Sequence, residues 1–368
     1  MENAGNTGAQ QEETMSYRMK SLAVAVAAIA LTAVSADAIA KTLRYAEFGP
    51  NRGSRAEALK WFATDLEKRS AGALKIEFHW GKALLGTRAV LKGVGDGVAD
   101  MGSVIAFFTP KKLRTYNIAD LPVANSDSWV GMRAVYELAT THPAFIKQMS
   151  ANNVVYVSNY TTGPIQLICT KPVGSLADMK GIKLRGSGPY GKTFADLGAT
   201  VQRMGQPKVY QALDSGLIQC NQNYYYSMKA YKQYEVAGHV LELDWGQNMG
   251  FGIVMNKSAH DGLSASEKSA VAASGSAMID HFAKVMMEGK DRDKAAMEAG
   301  IDGKKITVGR LSDAERTMLL AAGSKYVKAW VDGATKDGLD GAGMMAAYDA
   351  LVSKYAKERD AKGYPWKR

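Results

Sequence analysis

The chain has 368 residues, is 46% hydrophobic, and carries 46 basic against 36 acidic side chains. That length can bury a full-sized core in one or two domains. A net charge of +10 favours anionic partners, but the lysines are scattered rather than clustered, which reads against a nucleic-acid footprint.

Residues 1–14, MENAGNTGAQQEET, are polar and aperiodic, so Met15 or Met19 stands as an alternative initiator. Arg18 and Lys20 then precede an apolar run from Leu22 to Val34, and Ala36, Ala38 and Ala40 place small residues two apart. A basic region, a short apolar core and small residues before a cut make up a secretory signal peptide. The run is short for a membrane span, although a single-pass anchor is the competing reading. Residues 1–40 are therefore read as leader and signal peptide, cut after Ala40 or, alternatively, Ala38. They hold two basic and four acidic side chains, which leaves the mature chain at +12.

The mature chain opens with a strand-like run, Thr42–Phe48, that puts Phe48 at its carboxyl end. Ser54 with Glu57 fits a capping box for a helix ending near Gly72. Leu74, Ile76, Phe78 and Trp80 alternate with polar residues, the period of a half-buried strand, and complete a βαβ unit. Arg88 precedes a helix with Val90, Leu91 and Val94 on one face. The free N–H groups of such a helix start favour an anion. Strand-like runs Val154–Asn159 and Ile165–Thr170 flank Thr161-Thr-Gly-Pro164.

From Lys180 to Tyr226 short strands and helices alternate, which argues for a parallel sheet. Ligand sites in such sheets lie in the loops at the carboxyl ends of strands, where Arg185 and Asn223 fall, with Tyr224 immediately after. Cys169 and Cys220 both sit in strand-like runs. A disulfide and a pair of buried thiols both fit them, and with no histidine nearby a zinc site does not. His239–Asp244 reads as a strand, Trp245–Gly250 as a loop, and Phe251–Asn256 as a returning strand. Trp245 is placed either to stack on a ligand ring or to pack between elements. Ser264 with Glu267 starts a helical tract to about Gly289, with only short polar interruptions before Gly300, Ser312 with Glu315 starts a helix running through Trp330, and a last helix is expected over Met344–Lys357.

The run Phe194-Ala-Asp-Leu-Gly-Ala, then Val209-Tyr-Gln-Ala-Leu with Gly216, then Asn223, resembles the solute-receptor subunit of the tripartite ATP-independent periplasmic (TRAP) transporters. Leu85–Gly102 and Ala119-Asp-Leu-Pro122 carry the same resemblance, which extends from about Lys41 to about Leu263 and more loosely to the C-terminus. It implies an α/β, two-lobed periplasmic binding protein fold, type II-like, with hinge-crossing strands and a long helix over both lobes, for which Ser264–Gly289 is the candidate. Lobe I would comprise 41–162 plus 251–290, and lobe II 163–250 plus 291–368. Arg185 would pair with a substrate carboxylate and Asn223 would hydrogen-bond beside it. A second arginine in similar receptors matches Ile165 or Gln166 here. That neutral position weakens the expectation of a dicarboxylate held by two arginines and suits a monocarboxylate such as a sugar acid, a keto or hydroxy acid or an aromatic acid, with a four-carbon dicarboxylate, the family's default label, as the alternative. The candidate ligand-binding set is Arg185, Asn223, Gln166, Trp245, Tyr224, Arg88 and Phe48.

The resemblance implies a monomeric periplasmic receptor that hands a small organic acid to two membrane subunits. No P-loop, His-Glu-x-x-His or Gly-x-Ser-x-Gly motif occurs, and neither a cofactor nor a metal is expected. An exported enzyme and a stand-alone ligand sensor on the same frame are the alternatives.

Overall fold

The computed structural model describes residues 40–368, so the expected leader and signal peptide lie, but for Ala40, outside the described residues. The alternating runs become two sheets. The first contains β1 (Lys41–Ala46), β2 (Leu74–His79), β3 (Met101–Ile105), β4 (Val154–Tyr160) and β10 (Phe251–Asn256), in the order β2-β1-β3-β10-β4. The second contains β5 (Pro164–Cys169), β6 (Lys183–Arg185), β7 (Thr200–Gln202), β8 (Cys220–Asn223), β9 (His239–Gln247) and β11 (Thr307–Arg310), in the order β11-β9-β5-β8-β6-β7. β1 is parallel to β2 and β3, and β6 to β7 and β8.

Parallel neighbours need helical crossovers. α1 (Ser54–Arg69) joins β1 to β2, and α2 (Val90–Gly95) leads into β3. α3 (Ser128–Thr141) and α4 (Pro143–Ala151) come before β4. In the second lobe α5 (Gly188–Asp196) joins β6 to β7 and α6 (Val209–Asp214) joins β7 to β8, with α7 (Tyr225–Ala230) following. α8 (Lys257–Asp261), α9 (Ala265–Ala299), α10 (Asp313–Lys336) and α11 (Gly341–Lys362) complete the chain. Each lobe has its own core. Phe62, Met101, Trp129, Ile279 and Phe282 fill part of the first, and Ile165, Leu184, Phe194 and Trp245 part of the second.

The chain passes between sheets at Thr161–Gly163 and returns at Asn248–Gly250. The two crossings are tied together. The Thr162 N–H donates to the Asn248 carbonyl at 3.0 Å, and the Asn248 N–H donates back to Thr162 Oγ1 at 3.1 Å. Helix α9 then packs against α1, α3 and β4 in the first lobe and α7 in the second. This matches the two-lobed frame with crossing strands and a long shared helix.

Several local expectations change. Helix α9 does not stop at Gly289 but continues to Ala299. A Cβ at Gly289 would sit 3.0 Å from Ser54 Oγ, so the glycine allows α1 to approach closely, at about 1 kcal/mol of helix propensity against alanine. The Ser54–Glu57 capping box does not form. Gly53, with φ of 78°, is the N-cap, which makes Ser54 the first helical residue and turns its hydroxyl to Arg292. The expected loop at Trp245 is strand as far as Gln247, bulged where Asp244 and Gly246 take φ of 41° and 48°. Helix α11, in the stretch expected with lobe II, instead packs against α3 in lobe I, where Tyr355 and Tyr364 meet Trp129 edge-on. Cys169 and Cys220 are directly opposed on β5 and β8 and form a disulfide, with Cα atoms 4.1 Å apart.

Candidate ligand-binding cleft

The carboxyl ends of β1 and β3 in one lobe, and of β6 and β7 in the other, open onto the same cleft, the position where open α/β sheets gather their ligand groups. The cleft spans about 880 Å³, open solvent included. From the first lobe come Phe48, Arg52 and Arg55 after β1, Phe107 and Phe108 after β3, and Phe251 at the start of β10. From the second come Arg185 and Ser187 after β6, Gln206 after β7, and Tyr224, Tyr226, Ser227 and Tyr231 around α7. Asn248 lines the cleft from the returning crossing. Among the described residues the lining includes the cations Arg52, Arg55, Lys82 and Arg185, and no aspartate or glutamate.

Arg185 ends β6 and is 6% exposed. Its Nε donates to the Met204 carbonyl at 3.0 Å and Nη1 to the Gln222 carbonyl at 3.3 Å. Burial lowers its pKa, and among the described residues no carboxylate stands close enough to oppose that. A buried guanidinium with two carbonyl anchors and no counter-ion leaves N–H donors for an anion from outside. Arg55, on the facing lobe, is 7% exposed. It stands 3.4 Å from Glu47 and 4.8 Å over the Phe48 ring. Burial, the largest single effect, works against its charge, but Glu47 together with Tyr160, Tyr226 and Tyr231 outweighs it and raises its pKa. Tyr224 and Tyr226 stack with ring centroids 5.0 Å apart, and burial raises both phenols, which therefore stay neutral.

Of the residues singled out in the sequence, Arg185, Tyr224 and Phe48 meet in the cleft. The other four do not line it. Asn223 is fully buried one layer behind. Its amide joins Gln206 and Gln233 at 3.2 and 2.7 Å, so it holds Gln206, which does face the cleft. Gln166 is also fully buried. Its Oε1 accepts the Leu243 and Asp244 N–H groups at 2.7 and 3.0 Å, and its Nε2 donates to Asp244. It replaces ladder bonds that the β9 bulge removes. Trp245 packs edge-on against Tyr190 and Phe194 inside the second lobe. Arg88 is exposed, with its guanidinium 4.6 Å over Phe108, and so backs a lining residue from outside.

Sequence reasoning missed Arg52, Arg55, Gln206, Tyr226, Tyr231 and Asn248. One signal was present for the first two. Arg52-Gly-Ser-Arg55 follows a strand and enters a helix, the kind of strand-end loop that carries ligand groups in such folds.

Two lobes that share a long helix, joined by paired crossings over a cleft whose buried Arg185 has no carboxylate partner among the described residues, define a two-lobed binding protein. The chain belongs to the bacterial extracellular solute-binding proteins of family 7 (DctP), whose family model matches residues 45–332. It is 27% identical over 183 residues to a solute-binding protein of Albidiferax ferrireducens, covering 48% of this chain and 52% of that one. It therefore spans about half the length of that relative. It is 23% identical over 237 residues to the C4-dicarboxylate-binding periplasmic protein DctP of Rhodobacter capsulatus, covering 63% of this chain and 70% of that one. Among solved structures, a TRAP solute-binding protein of Rhodoferax ferrireducens in complex with copurified benzoate superposes with a TM-score of 0.77 at 21% identity, over 86% of this chain and 99% of that one. The resemblance to TRAP receptors seen in the sequence is thus borne out.

Proposed function

We propose that the chain is the periplasmic receptor of a TRAP transporter, capturing a small organic acid in the interlobe cleft and delivering it to the membrane subunits. The observation that carries this reading is Arg185, buried, anchored by two carbonyls and without a counter-ion among the described residues. A ligand carboxylate would supply the missing charge through paired N–H···O bonds, a geometry that lysine lacks. Ligand bound between the lobes would favour the closed form by hinge motion at the two crossings. The disulfide fits an oxidising compartment and supports export. The receptor acts as a monomer, without nucleic acid, cofactor or metal, and binds its ligand without transforming it; family membership favours this over an exported enzyme.

The relatives named above give two ligand types, a C4-dicarboxylate and an aromatic monocarboxylate. The seven aromatic side chains of the lining favour the second. The test is a thermal-shift screen of the protein from Lys41 onward against small organic acids, repeated after unfolding and refolding to remove any carried ligand. A ligand that binds only the folded state raises Tm with its concentration over Kd. A shift with carboxylates, lost in Arg185→Met, is expected. Equal shifts in wild type and variant would overturn the assignment.

A further inference from the structure

Building on the reading of the cleft as an acid receptor, we propose that the ligand carries one formal negative charge, met by Arg185, and a neutral hydrogen-bonding group at its other end, met by Arg55, whose charge Glu47 balances from behind the lining. The two guanidiniums face the cleft from opposite lobes but differ in charge balance. Arg185 has no carboxylate partner among the described residues. Arg55 has Glu47, fully buried, 3.4 Å away. Glu47 is itself fixed, its Oε1 accepting the Gly49 N–H at 2.7 Å and its Oε2 accepting from Ser103 Oγ. The pair is therefore locally neutral and yet unfinished, because Arg55 Nε is buried without a partner.

A second carboxylate at this end would meet one positive and one negative charge together. Its attraction to Arg55 would be largely cancelled by Glu47, while its loss of hydration would remain. A hydroxyl, keto or amide oxygen can accept from Arg55 without that cost. Two further groups bear on the choice. Asn248, 3% exposed, and Ser227, 2% exposed, line the cleft with buried side-chain oxygens that have no partner. The Asn248 amide oxygen only accepts, so it is answered by a donor such as a hydroxyl and would repel a carboxylate, while the Ser227 hydroxyl can pair with either. Arg52 and Lys82 are exposed, so their charge is screened and acts on encounter more than on the bound state. Between the two ends, Phe48, Phe107, Phe251 and Tyr224 give an apolar midsection suited to a ring.

The experiment is titration calorimetry with a matched triad: phenylacetate, 3-hydroxyphenylacetate and 3-carboxyphenylacetate. In the wild-type protein the hydroxy acid is expected to bind at least about tenfold tighter than phenylacetate, the size of one buried hydrogen bond, and the dicarboxylate weakest of the three. Glu47→Gln, which leaves Arg55 uncompensated, should move the dicarboxylate ahead of phenylacetate. Should that single variant fail to fold, Glu47→Gln with Arg55→Gln removes both charges at nearly constant volume. It should erase the hydroxyl preference, bringing 3-hydroxyphenylacetate within about threefold of phenylacetate in the same variant. Tightest binding of the dicarboxylate, or equal binding of the hydroxy and parent acids, by the wild type overturns the proposal and leaves the acid-receptor reading standing. Unchanged binding of all three acids in Arg185→Met would bring down that reading itself.

Discussion

Arg185→Met separates a binding residue from a structural one, because the two roles predict opposite changes. In the complex, removing one partner of a buried, hydrogen-bonded charge pair costs roughly 2–5 kcal/mol, or about 30- to 5,000-fold in Kd. In the free protein the balance differs. Arg185 is a 6% exposed cation with no counter-ion, and an uncompensated buried charge costs several kcal/mol in lost hydration. Against this stand its two bonds to the Met204 and Gln222 carbonyls, worth about 1.5–3 kcal/mol each for a charged donor. These terms nearly cancel, so methionine, of similar length and no charge, should leave the ligand-free Tm unchanged or slightly raised. Arg185→Lys keeps the charge but loses the fork, and should fall between the two in affinity. Calorimetric titration gives Kd and scanning calorimetry gives Tm. Binding within threefold of wild type would refute the role, and so would a collapse of the ligand-free Tm, which would mark Arg185 as a residue of the fold.

Three other expectations follow from groups near the cleft. Gln166→Leu leaves the Leu243 and Asp244 N–H groups without their acceptor and should cost about 2–4 kcal/mol in urea unfolding; a loss of affinity with unchanged stability would instead make Gln166 a ligand contact. Replacing Cys169 and Cys220 by alanine reopens a loop with a sequence separation of 51 and should lower stability by about 4 kcal/mol on the chain-entropy account, whereas an unchanged unfolding midpoint would show the bond to be energetically idle. Asp120 is fully buried and accepts the Gly250 N–H at 2.9 Å beside the returning crossing. Burial pushes its pKa up to about 7, against the pull of the Gly250 and Met249 N–H groups. Between about pH 4 and 7 the unfolded chain has released a proton that the folded one keeps, so this group's contribution to stability falls as pH rises and levels off above about 7, by about 4 kcal/mol in all. Asp120→Asn lacks that slope. Its stability should match wild type near pH 4 and exceed it by pH 8; lower stability at pH 8 would refute the assignment.

Much of the frame could be read from side-chain periodicity, because period-two runs and capping boxes act locally. The Ser264–Glu267 and Ser312–Glu315 boxes form as expected. Arg185 was legible for a related reason, since a strand end in a parallel sheet has only one functional face. What failed depends on contacts between distant elements. Gln166 became a clamp because β9 bulges opposite it, and nothing local to Gln166 reports a bulge some 78 residues on. Gly289 looked like a helix stop because the Ser54 hydroxyl that requires it lies on another helix. Asn223 lies at the expected strand end, but the amides of Gln206 and Gln233 stand around it. Arg55 reads as an ordinary surface charge near a helix start until the fold brings Glu47 and Phe48 around it.

The Cys169–Cys220 bond joins the strand that follows one hinge crossing to the strand that ends one residue before Tyr224. In a chain that leaves the cytoplasm before it oxidises, this wall of the cleft would be covalently fixed only after translocation. Until it closes, β5 and β8 would be held together there by ladder hydrogen bonds alone.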